Sequence, residues 1–244
     1  MKHIIMNNLD EVIENLIYLP VNIPNPPEGC IEGIEEITDD MMKWDEFRSC
    51  NLIPLAIDYR EKDVIEWVPQ FIDKFPKLKS WLEQEVFTKI GFGRTLIIVT
   101  DPDATNAPHI DAAQETFVDF LNHKLRYVLQ GNVSDLVFIT KDGNTTIPEI
   151  DRPYIMNGKW PHMMHNTHNE RKYTLAIGAP WEPSIDDTKY RNLIEDAYGK
   201  FNKNYIGSVG SELPDNWKEM FEDYDKNEAN HVDAKDFVNR TQKT

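Results

Sequence analysis

The hydrophobic pattern of this chain changes character twice. After Asn8 the stretch LDEVIENLIYLP carries apolar residues at helical spacing, but the VNIPNPPEGC that follows is crowded with proline and glycine and reads as a loop. From Asp58 onward, YREKDVIEWVPQFIDKFPKLKSWLEQEVF predicts two short amphipathic helices broken around Pro76, with Phe71, Leu78, Trp81, Leu82 and Val86 turned inward. Beyond Arg94 the period shortens. RTLIIVT, KLRYVLQG, SDLVFIT, TTIPEI, PYIMNG and KYTLAIG are brief runs rich in β-branched and aromatic residues, separated by Asp, Asn, Gly and Pro. Such spacing predicts an antiparallel sandwich or barrel. From about Asp186 helical spacing returns in KYRNLIEDAYGKFNKNY and NWKEMFEDYD.

The reading is therefore mainly β with flanking helices. Residues 1–74 form an N-terminal accessory region packing on the core, 75–183 the β core, and 184–244 a C-terminal helical region. A chain of 244 residues is long enough for one such core with appendages.

Composition narrows the function classes. Hydrophobic residues at 40% and charged residues at 28% fit a globular chain that folds by itself, and exclude a disordered one. A net charge of −16 disfavours nucleic acid as a partner, because phosphate binding needs clustered Lys and Arg, and no basic aromatic groove is visible. Cys30 and Cys50 are too few for a disulfide framework and neither belongs to a CxxC pair, so both read as structural. No apolar run is long enough for a signal peptide or a membrane span, which points to a cytoplasmic protein without a membrane partner.

The chemistry concentrates in the strand region. In APHIDAAQETF, His109 and Asp111 stand two apart, so an extended backbone turns both to one face. An imidazole and a carboxylate with open positions beside them suit a first-row metal such as Fe(II), given a third ligand. Among the remaining histidines, His162, His165 and His168 cluster in GKWPHMMHNTHNERKYTLAIG, just before the last strand of the core. In a rolled sandwich the starts of the second and penultimate strands lie side by side, so ligands far apart in sequence can meet. Arg171 follows on the same segment, and its planar fork pairs with a carboxylate.

These residues together resemble the iron and 2-oxoglutarate dependent dioxygenases. PHMMHNTHNERKYTLAIG, with the approach FPKLKSWLEQEVFTKIGFGRTLIIVTDPDATNAPHID, is similar to the aspartyl/asparaginyl β-hydroxylase-like branch, related phage proteins included. The resemblance spans Phe75 to Pro180. It implies a double-stranded β-helix core of the jelly-roll, cupin-like kind, with His109, Asp111 and His162 as iron ligands and His165 as the alternative to His162. It implies Arg171 as the grip on the far carboxylate of 2-oxoglutarate, with Arg126, on a strand face shared with Lys124, as a second basic residue near the cosubstrate. Trp160 reads as core or pocket wall.

The activity so implied is hydroxylation of an unactivated C–H bond, consuming dioxygen and 2-oxoglutarate and releasing succinate and carbon dioxide. The branch suggests an amino-acid side chain of a peptide or protein as substrate, with small molecules served by the same core. If the chain is phage-encoded, the compartment is the host cytoplasm. The alternative is a non-catalytic cupin-like barrel that binds a metal or ligand without turnover.

One motif lies outside the resemblance. FEDYDKNEANHVDAKDFV is similar to an EF-hand, with Asp225, Asn227, Asp233 and Asp236 at ligand positions. Ala229, Asn230 and a final Asp instead of Glu disfavour Ca2+ at 225–236, and an acidic helix–turn–helix is the reading preferred.

Overall fold

The computed structural model describes residues 9–45, 50–59, 64–106, 108–109, 123–140, 143–148, 150–158, 160–178 and 187–207. Asp111 and the EF-hand-like segment lie outside the described residues.

Helix α1 (Leu9–Asn15) leads into strand β1 (Leu16–Pro20), and β2 (Lys43–Asp45), β3 (Cys50–Tyr59) and β4 (Val64–Trp67) follow. Short helices α2 (Pro69–Ile72), α3 (Pro76–Trp81) and α4 (Phe87–Ile90) come next, with a π-helical turn, Leu82–Val86, between the last two. Strands β5 (Thr95–Thr100), β6 (His123–Gln130), β7 (Leu136–Thr140), β8 (Gly143–Thr146), β9 (Tyr154–Asn157), β10 (His162–Met164) and β11 (Lys172–Gly178) build the centre. Helix α5 (Asp187–Phe201) and the short β12 (Ile206–Gly207) complete the described chain.

All strand pairs are antiparallel and fall into two sheets, one ordered β12-β1-β9-β6-β11-β5-β3-β2 with β4 on β3, the other β10-β7-β8. A bridge between His109 and His162 adds the segment after β5 to the edge of the smaller sheet. From β5 on, the chain thus crosses repeatedly between the sheets. The orders β5-β11-β6-β9 and His109-β10-β7-β8 are the winding of a double-stranded β-helix.

The large sheet is buried on both faces. Its outer face carries Ile97, Val99, Leu125, Ile155, Leu175 and Ile177 against the helices, which supply Phe71, Leu78, Leu82, Ile194 and others to the same cluster. Its inner face meets the smaller sheet, where Tyr18, Tyr154 and Met156 pack with Phe138 of β7. Each fully buried large apolar side chain contributes roughly 1.5–3 kcal/mol of transfer free energy, so the outer-face cluster is the main stabiliser.

Two sequence expectations are corrected here. Of the stretch from Asp58 to Trp67, read as helical, Asp58 and Tyr59 end β3 and Val64–Trp67 form β4, antiparallel to it, with Ala56 opposite Trp67 and Tyr59 opposite Val64; helix starts only at Pro69, where proline suits the first turn. Similarly, the LIYLP end of the first helical stretch is β1. Its five residues are buried throughout, and a strand covered on both faces shows an unbroken apolar run that mimics a helix segment. β3 holds Pro54, which hides the strand in the sequence pattern; the proline is accommodated at a register shift between Pro54 and Ala56.

Candidate functional site

Period-two alternation decides which side chains reach the space between the sheets. On β6, Leu125, Tyr127 and Leu129 join the outer core, which turns Arg126 and Val128 inward. On β11, Tyr173, Leu175 and Ile177 go outward, and Lys172 and Thr174 go inward. On β10, His162 and Met164 line the cavity and Met163 alternates away. The resulting cavity of about 60 Å³ has residues of both sheets in its walls, His109, His162 and Arg126 among them.

His109 and His162 are paired in this space. Their backbones exchange both hydrogen bonds, N to O at 2.9 Å each way, and their rings lie 4.4 Å apart between centroids at an interplanar angle of 52°. Both residues are buried, at 1% and 4% exposure. His162 Nδ1 lies 2.9 Å from the Trp160 carbonyl, which can only accept, so Nδ1 carries the proton and a neutral ring keeps its lone pair on Nε2. Orientation of this kind is how a ligating imidazole is held from behind. Trp160 itself donates through Nε1 to the Leu16 carbonyl at 3.1 Å, anchoring the segment to β1.

The other histidines stand elsewhere. His165 pairs with Thr105 through the backbone and its side chain is exposed, as is that of His168. Among the described residues, no three His, Cys, Asp or Glu side chains gather to hold a metal.

The basic residues divide between the two faces. Arg126 lines the cavity with Tyr154 and Ala176 as its cross-strand neighbours, the small alanine leaving room for the guanidinium. Burial pushes the Tyr154 phenol up to about 12, with the Arg126 charge pulling the other way, so this wall presents an O–H and not a phenolate. Arg171 lies one residue before β11, and by alternation shares the face of Tyr173. Its Nε donates to Asp101 at 2.8 Å and its terminal nitrogen to Asp39 at 2.8 and 3.1 Å, and it does not line the cavity.

Lys172, not singled out from the sequence, does line it. Its ammonium pairs with Asp135 at 3.0 Å, both side chains 3% exposed, and donates to the Asn132 carbonyl. Burial lowers the lysine pKa and Asp135 opposes that shift. Gly131, at φ +104, keeps the strand end clear, since a Cβ there would meet Lys172 Cγ at 2.9 Å. The sequence carried a usable signal for Lys172: in KYTLAIG it falls in register with Thr174 and Ala176, opposite to the apolar Tyr, Leu and Ile.

No protein-family model matches the sequence, and no curated protein does. Among solved structures, the chain is similar to a prolyl-4-hydroxylase from Pseudomonas putida, at 12% identity and a TM-score of 0.41 over 71% of this chain and 98% of that one. It is similar to a Trichoplax adhaerens prolyl hydroxylase in complex with a peptide fragment of the hypoxia inducible factor oxygen degradation domain, at 12% identity and 0.46 over 76% and 91%. A 2OG-Fe(II) oxygenase family oxidoreductase from Burkholderia pseudomallei gives 12% identity and 0.43 over 75% and 96%. Among the described residues no helix is long and apolar enough to cross a membrane.

Proposed function

We propose that this protein is an iron- and 2-oxoglutarate-dependent dioxygenase that hydroxylates an unactivated C–H bond on an amino-acid side chain of a peptide or protein. The observation that carries the reading is the buried His109–His162 pair, set across two bonded strands at a cavity that also presents Arg126. In this proposal His109, Asp111 and His162 hold Fe(II): two imidazole nitrogens and a carboxylate suit ferrous iron and leave positions open for a keto acid and dioxygen. Iron so held would supply the activation of dioxygen that couples decarboxylation of 2-oxoglutarate to hydroxylation.

The remaining work falls to the chain's own residues. Arg126 grips the cosubstrate's far carboxylate, and the neutral Tyr154 phenol stands beside it as a donor. Lys172, already neutralised by Asp135, adds polarity to the wall with little net charge. Ile98, Val128, Leu136 and Met156 keep the cavity apolar and exclude water from the reacting bond. Arg171 takes no part in this version of the site, because its guanidinium is engaged by Asp39 and Asp101 and does not line the cavity.

The test is anaerobic purification and reconstitution with Fe(II), followed by iron analysis and 2-oxoglutarate-dependent succinate formation across a panel of peptides. The expected result is one iron per chain, lost in His162→Ala and Asp111→Ala and kept in His165→Ala, with succinate formed by the wild type. Iron kept in His162→Ala and lost in His165→Ala would reject the ligand set. Iron bound without any succinate would favour the non-catalytic binding barrel.

A further inference from the structure

Three residues before His109, the chain does something a regular strand would not. Between its bridges to His165 and His162 the segment advances four residues, Thr105 to His109, while the partner advances three, so one extra residue is bulged out. The bulge upsets the main-chain ladder beside Met164, and Asn106 repairs it. Its backbone N–H donates to the Met164 carbonyl at 3.0 Å, and its side-chain Oδ1 accepts from the Met164 N–H. Because that N–H can only donate, the amide oxygen must face it, which settles which way round the amide lies.

With Oδ1 committed to the strand, the Nδ2 amino group is what Asn106 has left to present. The residue is 7% exposed and lines the same cavity as His109 and His162. A buried amide is held rigidly here, with two N–H donors and no competing acceptor function, beside the proposed metal position. We infer that Asn106 is a ligand-orienting donor: its Nδ2 hydrogen-bonds a carboxylate or carbonyl oxygen of whatever is bound at the His109–His162 pair. The inference rests on reading that pair as a metal centre, and extends it to a residue that no ligand pattern in the sequence picks out. Such a donor fixes the rotation of a bound oxygen ligand about the metal, which ligand atoms on the metal do not by themselves fix.

The experiment uses full-length protein loaded with Co(II), whose visible spectrum reports ligand exchange, titrated separately with acetate and with 2-oxoglutarate. Wild type, Asn106→Asp and Asn106→Ala are compared, the aspartate keeping an acceptor for the Met164 N–H while losing the donors. Both variants should bind acetate and 2-oxoglutarate more weakly, on the order of tenfold or more, with metal content unchanged. Because Asn106→Ala also orphans the Met164 N–H, a second measurement decides independently of stability. In 15N-labelled wild type, the side-chain NH2 resonances that vanish in Asn106→Asp should shift on adding acetate to protein loaded with diamagnetic Zn(II). Resonances that stay fixed at saturating acetate overturn the assignment, as does undiminished affinity in both variants. If wild type gains no affinity for 2-oxoglutarate over acetate, the cosubstrate reading fails while the acetate arm still judges Asn106. Wild type that takes up no metal overturns both.

Discussion

At the scale of single residues, one position along a strand separates a cavity group from a surface ion pair. Arg171 and Lys172 are adjacent, yet alternation sends the first to Asp39 and Asp101 and the second to Asp135 inside. Arg126 has the same inward sense from β6. This makes a direct comparison possible. In an anaerobic titration of the Fe(II) protein, Arg126→Ala should weaken 2-oxoglutarate by on the order of tenfold or more, the usual scale for losing a charge-assisted contact to a carboxylate. Arg171→Ala should leave that affinity within about twofold and lower stability by about 1 kcal/mol or less, as expected of a partly exposed pair. The reverse ranking would return the anchor to Arg171. The sequence showed both arginines as basic residues near the right motifs, but a guanidinium's fork fits an aspartate as well as a keto acid. Which carboxylate fills it is settled by the aspartates that folding brings up, and Asp39 comes from the distant N-terminal region.

Among the elements, the segment joining β10 to β11 carries a buried side chain with several backbone partners. Asn166 is wholly buried, and the two hydrogens of its Nδ2 are shared among the carbonyls of Thr100 at 3.1 Å, Asp101 at 3.1 Å and Glu170 at 2.8 Å, while Oδ1 accepts from the His168 N–H. It thereby fastens the end of β5 to the approach to β11, and its backbone completes the link through Ala104 and Asp103. Asn166→Ala would leave several carbonyls without a donor, and a cost of about 2–3 kcal/mol is expected in urea denaturation. A loss under about 0.5 kcal/mol would show that water replaces the amide. Element legibility followed burial. Strands with turn residues on both sides, such as TLIIVT and KYTLAIG, were plain from pattern. β1, β3 and β4 were not, because LIYLP has no polar alternation, Pro54 suggests a break, and VIEW sits among charges that fit a helix equally well.

Over the whole molecule, the two-faced burial of the large sheet has a consequence for alkaline stability. Burial raises the pKa of Tyr154 to about 12 and that of Tyr190 still further above its usual value, Arg126 opposing in both cases. In the unfolded chain these phenols ionise from about pH 10 while the folded state keeps them neutral, so unfolding becomes easier as pH rises past that point. Each fully buried tyrosine adds a slope of up to about 1.4 kcal/mol per pH unit. Lys172, with its lowered pKa, acts in the opposite sense, but only below the ordinary lysine value of about 10.4. Denaturation midpoints should therefore fall steeply from about pH 10 upward, and a flat profile across about pH 9 to 11 would contradict the burial of these phenols. Local pattern by itself determined that the centre of this protein is β and where β5, β6, β7, β8, β9 and β11 run. Only the tertiary structure decided the strand order, the partners of the basic residues, and the part played by Asn106. The physical reason is that alternation names two faces of a strand without saying what will cover each. Lys172 and Tyr173 are buried at 2% and 6% on opposite faces of β11, so the alternation that separates the two faces does not say that the polar one is enclosed against a second sheet and not open to solvent.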